Sequence, residues 1–227
     1  MAQDFRTSIA GNRSTGQSVI ATNKVLRNTY ALLALTLLFS AGMAGIAMAT
    51  NAPPMHWLLV LGGYFGLLFL TTWLRNSVWG LASVFALTGF MGFTLGPIVS
   101  LYIGTFSNGA ELVMMALGGT GMIFLGLSAY ALTSQRDFSF LRGFIFAGVL
   151  VAFAGSIVAI LFSIPALSLA VSAAFVVLMS ALILYQTSEI INGGETNYIM
   201  ATITLYVTIY NLFLSLLQLL AAFAGER

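Results

Sequence analysis

Apolar residues run along this chain in long, nearly unbroken stretches separated by short polar breaks. Residues 30–50 form the first, ended by Asn51 and the Pro53-Pro54 pair, and 56–74 the second, stopped at Arg75 and Asn76. The third, 78–103, contains Gly96-Pro97, where a helix is expected to kink or end early. Residues 112–132 form the fourth. After a polar loop at 133–137 the fifth extends to Phe162, with Asp137 as its expected N-cap. Pro165 opens the sixth, which runs through Tyr185 to the stop at Asn192-Gly193-Gly194, and the seventh covers about 198–223. At 1.5 Å per residue, such stretches cross a hydrocarbon layer of about 30 Å as helices. A barrel would instead show short segments alternating polar and apolar. The expected fold class is therefore all-α, a seven-helix membrane bundle at 24–227. Residues 1–23, rich in Ser, Thr, Asn, Gln and Gly and without an apolar core, are expected to form a flexible cytoplasmic tail rather than a signal peptide.

The last stretch carries a polar stripe. Asn197, Thr204, Thr208, Asn211, Ser215 and Gln218, with Ala201 completing the spacing, recur every three or four residues and share one helical face. A polar stripe in lipid turns toward other helices or a wet cavity, which makes this helix an expected central one. Two readings stay open: interhelical hydrogen bonding, a common glue in bundles, or the lining of a pathway. Small residues also recur at helical spacing, Gly62 and Gly66 in the second stretch and Gly89, Gly92 and Gly96 in the third. They are expected to let helices pack closely within one bundle.

Composition agrees with the pattern. Of the 227 residues, 59% are hydrophobic and 6% charged, against roughly 25% charged in a soluble domain. The net charge of +2 rests on scattered residues, and without a basic patch no nucleic-acid partner is expected. The partner implied by composition alone is membrane lipid. Arg6, Arg13, Lys24, Arg27, Arg75, Arg136 and Arg142 all fall on one side of the expected topology, and only Arg227 falls on the other. Positive loops stay cytoplasmic, so the N-terminus is expected inside and the C-terminus outside.

Candidate chemistry is sparse. There is no cysteine and one histidine, so the usual zinc sites cannot be built. His56, beside Trp57, is expected to be an interfacial anchor. The one lysine, Lys24, lies before the first stretch, where it cannot serve as a Schiff-base residue inside the bundle. No GxSxG or HExxH motif occurs. Glu111, Glu189 and Glu195 lie at helix ends, with expected roles in interfacial solvation and capping, although Glu189 faces the cytoplasmic mouth of the expected bundle. No catalytic, metal-binding or cofactor-binding residue is expected, and the chain is not expected to be an enzyme.

The third and fourth stretches are more specific. The run from Gly89 through Gly92, Leu95, Gly96 and Pro97 to Ile98, and the run from Ala116 through Thr120 to Phe124, resemble the signature of the Bax inhibitor (TMBIM) family. Asp137 to Leu141, Leu184-Tyr185, Leu205-Tyr206 and Asn211-Leu212-Phe213 extend the resemblance. Lys24 to Tyr30 and Gly193 to Ile199 bring it nearest to a bacterial branch of that family. The resemblance implies a bundle whose last helix is surrounded by the other six. It also implies one of two activities: modulation of the membrane-anchored AAA protease FtsH in the bacterial inner membrane, or a pH-controlled calcium leak.

The leak branch uses two aspartates as its gate, and the matching positions here are Gln186 and Thr208. Neither titrates, and calcium favours sites that include carboxylates. An arginine associated with that gate corresponds approximately to Arg75. The leading expectation is an FtsH modulator. The alternative is a calcium or cation leak without the aspartate switch, with Gln186, Thr208, Thr204, Asn211 and Arg75 as candidate gate or polar pathway. A scaffold with neither role is the third possibility.

Overall fold

The computed structural model describes the backbone of residues 2–134 and 136–225, and their side chains from Lys24 onward. The expectation of a flexible tail at 1–23 falls outside the described side chains. Among the described residues there are seven helices: α1 Ala2–Ala49, α2 Trp57–Leu74, α3 Trp79–Thr105, α4 Gly109–Ser134, α5 Leu141–Leu161, α6 Pro165–Ile191 and α7 Tyr198–Gly225. All seven are long and apolar enough to cross a membrane, α1 through its part Lys24–Ala49. The molecule is an all-α, multi-pass membrane protein.

Three helices end by the same device. Asn51, Ser163 and Gly193 have positive φ angles of 51°, 49° and 76°. In each case the next residue's N–H donates to a carbonyl five residues back: Ala52 to Ala47, Ile164 to Ala159 and Gly194 to Glu189, at 2.9, 3.0 and 2.8 Å. A left-handed residue reverses the chain and satisfies a carbonyl that the helix leaves free. Pro53-Pro54 and Pro165 follow two of these turns, and Pro165 begins α6, where its missing N–H costs nothing.

The early end considered for α3 and the N-cap expected for α5 are corrected. α3 passes through Gly96-Pro97 without a break and continues to Thr105. Gly96 there lies against α1, where an added Cβ would meet Ala47 Cβ at 2.6 Å and the Ala44 carbonyl at 2.8 Å; neighbouring helices hold a proline-containing membrane helix together. Asp137 does not cap α5, whose N-cap position is Phe140 with no side-chain bond. Its carboxylate accepts from Ser139 N–H at 2.8 Å, bracing the turn that precedes the helix.

Packing divides the helices into an inner and an outer set. α7 packs against α1, α3, α4 and α6, α1 packs along α3, and α4 meets α6. α2 rests on α3 and α5 on α6. The principal neighbours of the last helix are thus four rather than six. The reason lies in the inward stripes of the outer pair: α2 buries only Thr71, and α5 buries only Ile145, Ala152 and Ala159. Stripes that narrow serve one neighbour each. The core is built around Leu205, Tyr206, Ile209 and Leu212 of α7, joined by Leu33, Leu87, Ile183 and Ile190.

Candidate functional site

The five candidate residues occupy different environments. Arg75 is exposed at the end of α2, Thr208 is buried on α7, and Gln186, Thr204 and Asn211 are half-buried. Thr204 Oγ1 donates to the Met200 carbonyl at 3.0 Å, Thr208 Oγ1 to Thr204 at 2.7 Å, and Asn211 Nδ2 to Val207 at 2.8 Å. Each donor is spent on its own helix, four residues back, as Ser and Thr commonly do in apolar surroundings. The middle of the polar stripe therefore does not supply the interhelical bonds that its spacing suggests.

The two ends of the stripe do reach other elements. Asn197 Oδ1 accepts from Ile199 N–H and Met200 N–H, at 3.0 and 3.1 Å, and so caps α7. Its Nδ2 reaches the Arg75 carbonyl at 3.1 Å and Asn76 Oδ1 at 2.9 Å, clasping the α2–α3 turn. Glu195 in turn accepts from Asn197 N–H at 2.7 Å. At the other end Gln218 Nε2 donates to Ser168 Oγ of α6 at 2.7 Å. Between them, Ser156, Ser168, Ser172, Asn211, Ser215 and Gln218 contribute the polar lining of a cavity of about 340 Å³ bounded by α5, α6 and α7. Asn211 is the one candidate residue that touches it.

The shortest interhelical hydrogen bond among the described residues lies on the far side of α7. Tyr206, buried at 1% exposure, meets Ser40 Oγ of α1 at 2.5 Å and donates to the Thr88 carbonyl of α3 at 3.2 Å. Two residues along a helix turn the face by about 200°, so Tyr206 sits nearly opposite the Thr204–Thr208 stripe. Periodicity counted on hydroxyls and amides passed over it because a tyrosine in an apolar run registers as apolar. At the end that carries Arg75, Tyr30 Oη lies 3.3 Å from Thr187 Oγ1, and Ser188 Oγ joins the Arg136 carbonyl and Phe138 N–H, both at 3.1 Å. Nothing in the residue pattern singled out Ser188.

His56 caps the start of α2. It is exposed, its Nδ1 accepts from Leu58 N–H at 3.4 Å at the start of α2, and its ring centroid lies 5.9 Å from that of Trp57. Among the described residues no group of three or more His, Cys, Asp or Glu side chains stands together as metal ligands would.

Comparison with known proteins bears on what such a bundle does. The model of the family described as "Inhibitor of apoptosis-promoting Bax1" matches residues 22–225. An uncharacterised protein of Pseudomonas aeruginosa is 55% identical over 89% of this chain and 90% of its own. The Escherichia coli protein named "Modulator of FtsH protease YccA" is 48% identical over 89% of this chain and 92% of its own. An uncharacterised membrane protein of Vibrio cholerae is 43% identical over 95% and 97%.

Proposed function

This chain belongs to the Bax inhibitor family, and from that premise we propose that it restrains an FtsH-type AAA protease in the bacterial inner membrane. The observation that carries this reading is the 48% identity with the E. coli FtsH modulator over nearly the whole of both chains. Agreement that extends through all seven helices favours a shared mode of action more than a shared fold alone would.

The mode we infer is occupancy rather than catalysis. The loops between spans are short, so the surface offered to a membrane-anchored partner consists of helix flanks and the two ends of the bundle. With the N-terminus on the cytoplasmic side, as the distribution of arginines favours, residues 1–23 lie where a AAA protease pulls, and terminal segments are where such enzymes engage. The chain would occupy the protease while yielding little to it.

Gln186 and Thr208 fit this reading better than that of a calcium leak. Neither brings a carboxylate, and the Thr208 hydroxyl is already bonded to its own helix. The test is the lifetime of a known membrane substrate of FtsH in cells with and without this chain, at matched membrane levels. The lifetime is expected to lengthen when the chain is present. An unchanged lifetime, together with calcium release from liposomes containing only this protein, would overturn the proposal in favour of the leak.

A further inference from the structure

The groove between α5 and α6 is used by none of the contacts described so far. It has a volume of about 230 Å³ and is lined by Arg142, Ile145, Phe146 and Val149 of α5 and by Leu182 and Tyr185 of α6. Its inner end is closed: Gly148 brings α5 so near α6 that an added Cβ would overlap the Leu178 side chain, and about two turns further Gly155 lies against Val171. At the other end of the groove stands Arg142, the second residue of α5, which is exposed. The groove is thus apolar along its body, blocked at its depth and cationic at its mouth.

Its surroundings match an interfacial position. The mouth stands at the end of the bundle that carries Lys24, Arg27, Arg75 and Arg136. Phe140, Phe144 and Phe146 project into the outer medium beside it, at 73%, 60% and 68% exposure. α5 has no side-chain cap, so the positive end of its dipole adds to the arginine. The acidic groups nearby are Glu189 and Asp137: Tyr185 lies beside Glu189, with Arg142 and Asp137 also acting on it. Asp137 is engaged by Ser139 N–H.

We propose that this groove is a site for an anionic phospholipid, with one acyl chain laid along Ile145, Val149 and Leu182 and the headgroup phosphate held by Arg142. In a chain with this many spans the groove opens onto lipid, so its occupant is a lipid chain, and the charge at the mouth selects the headgroup. Basic pockets between membrane helices recognise anionic headgroups in this way, and a guanidinium suits phosphate oxygens through paired donors.

The test uses the purified full-length protein in nanodiscs of phosphatidylcholine, alone or mixed with phosphatidylglycerol of the same acyl chains. Lipid retained on the protein is read by native mass spectrometry, and thermal unfolding is followed in parallel. Phosphatidylglycerol is expected to be retained about fivefold over phosphatidylcholine, the weight of one basic residue at an anionic surface, and to raise the unfolding temperature. Arg142→Gln should abolish the preference while leaving unfolding in pure phosphatidylcholine unchanged, since Arg142 is exposed. Val149→Phe should fill the body and lower retention of both lipids; if that variant does not fold, Leu182→Phe serves instead. Equal retention of the two lipids by the natural protein, or a preference that survives Arg142→Gln, would overturn the proposal. So would full competition by free glycerol phosphate, which would mark an anion site without a lipid chain.

Discussion

α2 and α3 carry the same motif, glycines four residues apart, and put it to opposite uses. On α3, Gly89, Gly92 and Gly96 lie along α1: a Cβ at Gly89 would meet the Phe39 ring at 2.6 Å, and one at Gly92 would overlap the Ser40 carbonyl. On α2, Gly62 and Gly66 have nothing within 4 Å of where a Cβ would stand. The difference shows that small-residue spacing permits close approach but does not bring it about. Approach follows where the rest of the face also fits. α3 supplies Val84, Leu87 and Met91 beside its glycines, all buried, whereas α2 buries Thr71 alone. The expectation that both sets pack within the bundle therefore holds for α3 and fails for Gly62 and Gly66 of α2.

The largest effect follows from filling the two motifs. Gly92→Leu places a branched side chain into the α1 backbone, and overpacking of this kind costs about 1–3 kcal/mol or more. Gly62→Leu extends into open space and replaces a helical glycine, so it should leave stability unchanged or raise it by up to about 1 kcal/mol. Thermal unfolding of the two variants in the same detergent checks the contrast. Comparable destabilisation would mean that the α2 glycines meet a neighbour that this packing does not contain, such as a second helix docked from outside.

A smaller effect separates the ways in which the two helices are held. α3 is gripped by α1 along its length, but the end of α2 depends on Asn197, which ties the Arg75 carbonyl and Asn76 to the start of α7. Asn197→Ala removes that clasp together with a helix cap, at a cost of about 1 kcal/mol. Hydrogen exchange should quicken at the end of α2 and the first turn of α7 and remain slow in the middle of α3. Uniform quickening would indicate global loosening instead.

The same contrast explains what the residue pattern could reveal. Seven crossings were legible because a bilayer demands long apolar runs, and the stop at Asn192-Gly193-Gly194 because a left-handed residue favours glycine. Ser163 closes α5 in a similar conformation without any such mark. The outer placement of α2 and α5 was hidden because in lipid the outward face of a helix is as apolar as the inward one, so periodicity loses the contrast that reveals burial in water. For the same reason the Thr204–Thr208 stripe stood out while Tyr206 did not. A side chain's polarity can be read from sequence, but whether its proton goes to its own helix or to another depends on which helix lies beside it.

Ser40→Ala tests the polar contact that α1 makes with α7. It removes the partner of Tyr206 Oη, leaving the bond to the Thr88 carbonyl, and interhelical bonds in membranes are worth on average about 0.6 kcal/mol. The same change at Ser100, exposed on α3, should have no measurable cost. If Ser40→Ala is as silent as Ser100→Ala, the hydroxyl bond adds nothing to the hold of α1 on α7.

A small effect of the opposite sign is expected on α2. Gly66 is a helical glycine with no contact to lose, and a glycine in a helix interior costs roughly 0.5–1 kcal/mol relative to alanine through the freedom its backbone surrenders on folding. Gly66→Ala should therefore stabilise the protein by about that amount. Gly89→Ala gains the same entropy but sets its new methyl at 2.6 Å from the Phe39 ring, and whether that ring can turn decides the sign. Phe39 is 42% exposed and has room to swing outward, so Gly89→Ala should be close to neutral and fall between Gly66→Ala and Gly92→Leu. Unfolding temperatures measured side by side would order the three variants. If Gly66→Ala destabilises, α2 is using that open face for a contact outside this chain, and the difference between the two motifs disappears.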